Sequence, residues 1–186
     1  MTRSQCLSIF GLSAGTLTLA LLLVGASSAP HVPAVGETAP PFLGYELNGK
    51  KVLLDSYAGK VVVVSFWATW CPPCRAELAI LENIQKAGRG SIQVVAINIE
   101  SHDVFRRAAK LLKDFTLQLT NDESRTGYSA YAVKALPHLV VIGKDMRIIS
   151  VREGYGPSEL DDVTNELNAA LRAGSADGAK STTESH

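Results

Sequence analysis

Hydrophobic and polar positions divide the chain into an apolar head, a long alternation of short elements, and a polar tail. The unbroken run Val61-Val62-Val63-Val64 predicts a strand buried on both faces, as at the centre of an α/β sheet. Residues 92–97 predict a second core strand. Between them Leu78, Leu81 and Ile84 recur at spacings of three, which predicts a helix from about Pro72 to Ala87 with Gly88 as its C-cap. Ser101 suits the cap of a further helix reaching about Lys113, with Phe105, Ala108/Ala109, Leu112 and Phe115 as its apolar stripe.

Shorter patterns surround these. Phe42–Tyr45 and residues 51–54 flank Asn48-Gly49, the signature of a type I′ hairpin. After the second helix come an extended piece over 117–119 and a short helix over 124–131. Two strands over 139–142 and 147–152 follow, joined by Gly143-Lys144-Asp145. Pro157-Ser158-Glu159 opens a last helix ending near Arg172. The alternation gives one α/β domain over residues 36–173, a sheet covered on both sides. Residues 174–186 are small and polar, and are expected to be disordered.

The head, residues 1–29, has Arg3 as a short positive region and an apolar stretch over 7–25. Ser27-Ser28-Ala29 then places small residues where a signal peptidase reads. The stretch is about 19 residues, close to a membrane span, so an uncleaved anchor is the alternative to a cleaved export signal. Either places the domain outside the cytoplasm, in the periplasm or an equivalent compartment. Composition adds an exclusion: 18 basic and 18 acidic residues give zero net charge, and no basic block suggests nucleic acid as a partner.

Of three cysteines, Cys6 lies in the head, which leaves Cys71 and Cys74. A link across two residues restrains the unfolded chain little, so the pair reads as reactive rather than as a staple. A helix starting near Pro72 would hold both sulfurs at its positive end, one turn apart, which favours a thiolate with a second thiol to resolve it. The histidines His31, His102, His138 and His186 lack metal-ligand spacing, so neither a metal nor another cofactor is expected.

The run Val-Val-Ser-Phe-Trp-Ala-Thr-Trp-Cys-Pro-Pro-Cys-Arg-Ala-Glu over residues 63–77 resembles the exported thioredoxin-like proteins of the TlpA/ResA type. The resemblance extends over nearly the whole domain. It implies a thioredoxin-like fold: a central mixed sheet with helices on both faces, an N-terminal hairpin, and an inserted helix around Phe105. It also implies a thiol–disulfide oxidoreductase that reduces client disulfides, with clients including apocytochrome c and copper-site proteins. Its partners would be the client protein disulfide and a membrane or thioredoxin-like electron donor, and a monomer is expected. Running the same dithiol as an oxidant or isomerase is the alternative within the class.

Site residues follow from the resemblance. Cys71, at the exposed helix tip, is expected to attack and buried Cys74 to resolve. Pro72 and Pro73 both lack the N–H that other residues would offer the Cys71 thiolate, so its pKa should fall less than in the strongest oxidants and its disulfide should be more reducing. Glu77 reads either as a solvated helix glutamate or, as the resemblance favours, as acceptor of the Cys74 proton. Ser65 stands where thioredoxins carry a buried Asp, which leaves Glu77 as the candidate. Leu136-Pro137 matches the loop that carries a cis proline, which would aim the Leu136 N–H and C=O at a client. Trp70 is expected to shield the site and contact clients, whereas Trp67 fits the core equally well. His138 reads as a strand-start histidine and Arg75 as a solvated helix-start residue.

The chain departs from the family pattern at Ala79, where a proline often kinks the helix, and at Gly143-Lys144-Asp145-Met146, which replaces an acidic-to-glycine turn. A peroxidase fits poorly: peroxiredoxins carry Thr three residues before the attacking Cys, where this chain has Ala68. A copper-binding or delivery protein using the two thiols is the rival of another class. No Met cluster supports it, Met146 being the only methionine beyond the first residue.

Overall fold

The computed structural model describes residues 31–154 and 159–176; the expected export segment and residues 177–186 of the expected tail lie outside them. The elements are β1 (Phe42–Tyr45), β2 (Lys51–Leu53), a 3-10 turn (Leu54–Tyr57), β3 (Val61–Trp67), α1 (Pro72–Ala87), β4 (Ile92–Asn98), α2 (His102–Leu111), β5 (Gln118–Asn121), α3 (Thr126–Ala130), β6 (His138–Ile142), β7 (Ile148–Glu153) and α4 (Glu159–Ala176). The seven strands form one sheet in the order β2-β1-β5-β4-β3-β6-β7. β3, β4 and β5 run parallel, joined through α1 and α2, and the outer strands pair antiparallel.

All seven β3 residues are buried, as the valine run predicts for a strand covered on both faces. Side chains alternate across it. Ser65 reaches Glu77 of α1, while the next residue, Phe66, meets Tyr128 and Tyr131 at the end of α3 with ring centroids 6.4 and 5.5 Å away. Leu139 pairs with Ser65 and Arg152 with Leu139, so they share the α1 face. There Glu166 of α4 accepts hydrogen bonds from Ser150 (2.6 Å) and Arg152 (2.5 Å). The mixed sheet with helices on both faces is therefore as expected.

Five local expectations are refined or corrected. The hairpin forms with a different turn: Gly49 N–H donates to the Glu46 carbonyl at 2.9 Å, Glu46 N–H donates to the Lys50 carbonyl at 2.8 Å, and only Gly49 in this loop has positive φ (+81°). A type I′ turn needs two consecutive residues of positive φ; this is a type I turn closed by a left-handed glycine. Gly88 caps α1 in a right-handed conformation, and Arg89 (φ 45°) and Gly90 (φ 88°) reverse the chain. Gly88 is required for a different reason, since a Cβ there would lie 2.8 Å from the Ile92 side chain. Ser101 occupies the α2 cap position without a side-chain capping bond. The short helix is trimmed to Thr126–Ala130 because the Asp122 carboxylate accepts the Thr126 and Tyr128 N–H groups (2.9 and 2.7 Å). The last helix passes its expected end at Arg172 and reaches Ala176.

Candidate redox site

The site lies at the carboxyl ends of the parallel strands, where open α/β sheets place their crevices. β3 ends at Trp67, three loop residues follow, and Cys71 becomes the N-cap of α1 with extended backbone angles (φ −99°, ψ 97°). Pro72 and Pro73 fill the first two helical positions, where a missing N–H costs nothing. The Cys74 N–H consequently points back at Cys71 Sγ, 3.3 Å away. Cys71 and Cys74 are joined in a disulfide with Cα atoms 5.3 Å apart.

Cys74 is fully buried, as expected. Cys71 is not the freely exposed tip that was expected: only 4% of its surface is accessible, because its side chain folds over the first helical turn onto Cys74. The neighbouring Trp70 is 65% exposed and presents the apolar surface. Trp67 belongs to the core, and its Nε1–H has no acceptor among the described residues.

Glu77, one turn beyond Cys74 on the inner face of α1, is 4% exposed and accepts the Ser65 hydroxyl at 2.7 Å. It is thus a buried carboxylate rather than a solvated one. Ser65, which cannot serve as the acid itself, orients it.

Leu136-Pro137 is a cis peptide, as the resemblance implied. It leads into β6, whose first residue His138 pairs with Phe66 of β3. The Pro137 carbonyl accepts Gly154 N–H at 2.8 Å, and among the described residues the Leu136 N–H and C=O make no backbone hydrogen bond. His138 is 1% exposed, edge-on to Phe66, and neither ring nitrogen has a hydrogen-bond partner among the described residues; Glu153 Oε1 is 3.9 Å from Nδ1. Burial lowers its pKa below the ordinary histidine value, and Glu153 offsets part of that.

Sequence reasoning missed the residues that hold the loop before Cys71. Glu100, just past β4, accepts both the Thr69 N–H (2.6 Å) and the Thr69 hydroxyl (2.9 Å). Asn98 donates its side-chain N–H to Glu100 (3.1 Å) and accepts the Glu100 N–H (3.0 Å). Asn121, at the end of β5, donates to the carbonyls of Asn98 and Glu100 (3.1 and 2.8 Å). Arg75 closes the circuit with a 3.3 Å bond to the Thr69 carbonyl. The available signal was Asn and Glu directly after an apolar core strand, at the end where such sheets bind ligands. No group of three or more His, Cys, Asp or Glu among the described residues is arranged to hold a metal.

A disulfide at the start of a helix, a cis proline opening the adjacent strand, and a mixed sheet with a parallel centre define a thioredoxin-fold redox protein. The AhpC/TSA family model matches residues 35–151, and the chain belongs to this family, within it to the ResA type of thiol–disulfide oxidoreductase. The thiol-disulfide oxidoreductase ResA of Geobacillus thermodenitrificans is 31% identical over 142 residues, spanning 73% of this chain and 78% of that one. The thioredoxin-like protein YneN of Bacillus subtilis is 39% identical over 85 residues, 46% of this chain and 49% of that one. A solved structure from Chlorobium tepidum, titled as a thiol:disulfide interchange protein DsbE, has 26% identity and a TM-score of 0.66 over 75% of this chain and 99% of its own.

Proposed function

We propose that this enzyme reduces the disulfides of client proteins outside the cytoplasm and is recharged by a dedicated dithiol donor at the membrane. One observation carries the direction: with Pro72 and Pro73 at the helix start, Cys74 N–H is the hydrogen bond donated to Cys71 Sγ. A thiolate with few donors is less stabilised, and a less stabilised dithiol gives its electrons away more readily.

The reduced enzyme would act in two steps. The Cys71 thiolate attacks one sulfur of the client disulfide, forming a Cys71–client disulfide and releasing the other client sulfur as a thiolate. Cys74 then loses its proton to the Glu77 carboxylate and attacks Cys71 Sγ. That closes Cys71–Cys74 and expels the second client thiolate. Two electrons pass from the enzyme dithiol to the client, and its two thiol protons end on the client thiols or solvent. The open Leu136 backbone beside the cis Pro137 supports docking of an extended client segment by strand addition. The apolar head supports export or anchoring, and the resemblance supports clients of the cytochrome c maturation or copper-site type.

The test is the reduction potential of Cys71/Cys74 in the full chain, by thiol labelling across glutathione and dithiothreitol series. A value well below about −200 mV is expected for a reductant, and one near about −120 mV would instead make the protein an oxidant.

A further inference from the structure

A pocket of about 240 Å³ opens between α1 and α2, directly beside the redox loop. Its walls are the apolar side chains of Trp67, Leu78, Ala108 and Leu112, and its mouth is formed by Thr69, Arg75 and Leu111. Three features set it apart from an ordinary crease. Leu111 is 85% exposed at the end of α2, and with the exposed Trp70 it puts large apolar surface around the site. Trp67, in its wall, has a buried N–H without an acceptor among the described residues. Arg75, in the first turn of α1, donates to the Thr69 carbonyl but has no acidic partner among the described residues. The carboxylate of Glu100 is committed to Thr69 and Asn98.

From this we infer that the pocket is a client-selectivity subsite, taking an apolar side chain and an adjacent acidic residue that neighbour the client's reacting cysteine. The inference rests on the proposed exchange reaction at Cys71. Continuity with that site carries it, because Thr69 lies two residues before Cys71 and Arg75 directly follows Cys74, so mouth and redox loop are one surface. The apolar walls favour burial of a side chain such as leucine. The Arg75 guanidinium, without an acidic partner among the described residues and at a helix start where the dipole is also positive, favours a carboxylate next to it.

The experiment uses the full-length reduced protein, a small disulfide (hydroxyethyl disulfide), and two otherwise identical cystine peptides. One peptide carries Leu and Glu beside the cysteine, the other Ser and Lys. The expected result is a preference of about tenfold or more in second-order rate for the Leu/Glu peptide, the range a filled apolar subsite gives. Leu111→Glu, at an exposed position that folding does not depend on, removes apolar surface and repels the peptide carboxylate; it should abolish the preference and leave the hydroxyethyl disulfide rate unchanged. Equal rates with both peptides, or a preference that survives Leu111→Glu, would overturn the subsite and leave the exchange reaction standing. Failure to reduce even hydroxyethyl disulfide would overturn the exchange reaction, and the subsite with it.

Discussion

Two hydroxyl groups hold two carboxylates on either side of the disulfide loop: Ser65 on Glu77, and Thr69 on Glu100. Their duties differ by position. Glu77 sits one turn beyond Cys74 inside the protein, where a base can serve a buried thiol without competition from water. Replacing it with glutamine keeps the shape and removes the proposed proton acceptor. Glu77→Gln should slow closure of the Cys71–Cys74 bond by about 100-fold near neutral pH, the lower range of general-base effects. The deficit should shrink toward about pH 8.5 and above, where a thiol ionises unaided. Quenched-flow release of the second client thiol across pH would measure this. A deficit constant with pH would reduce Glu77 to packing. The cysteines, both prolines and Glu77 were legible in the sequence because their relation is local, within two turns of one helix. The Ser65–Glu77 contact joins residues 12 apart in sequence, and only the packing of α1 on β3 makes it.

Between elements, the loop from β3 to α1 is tied to the ends of β4 and β5 through Glu100, Asn98 and Asn121. Hydrogen bonds to a charged acceptor contribute about 1.5–3 kcal/mol each, so Glu100 is the principal anchor of Thr69 and of the Trp70-Cys71 segment behind it. Glu100→Gln turns a donor toward Thr69 or Asn98 in place of an acceptor. The Thr69 amide should then exchange with solvent at least about tenfold faster, with amides of α4 unaffected. Unchanged protection at Thr69 would remove Glu100 from the loop's support. Periodicity placed the strands and long helices well, because an apolar run or stripe reports burial of a whole face. It misplaced the hairpin turn and the short helix. The hairpin's Asn48-Gly49 pair is compatible with more than one turn, and the Asp122 carboxylate, not a stripe, decides where α3 begins.

For the molecule as a whole, the His138 ring lies buried between β3 and β7, edge-on to Phe66 and opposite Glu153, with Tyr131 and Tyr128 packed on the same Phe66. Burial lowers its pKa below the unfolded value of about 6.5. Between these two values the unfolded chain binds a proton that the native ring refuses, so stability is full above the window and falls as pH drops through it. The denaturation midpoint should fall from about pH 7.5 to about pH 5.5 more steeply in the wild type than in His138→Phe. Parallel curves for the two proteins would exclude the ring as the source.

The sequence by itself determined the chemistry and the architecture. The spacing Cys-Pro-Pro-Cys at a strand-to-helix junction sets which sulfurs can pair, and apolar periodicity sets which faces must be buried. Tertiary structure alone decided the surroundings of those sulfurs: Cys71 folded inward, Glu77 held by Ser65, the loop clamped by Glu100, and a pocket opened between α1 and α2. These depend on contacts between distant parts of the chain, and such contacts form only once burial has brought the strand ends together.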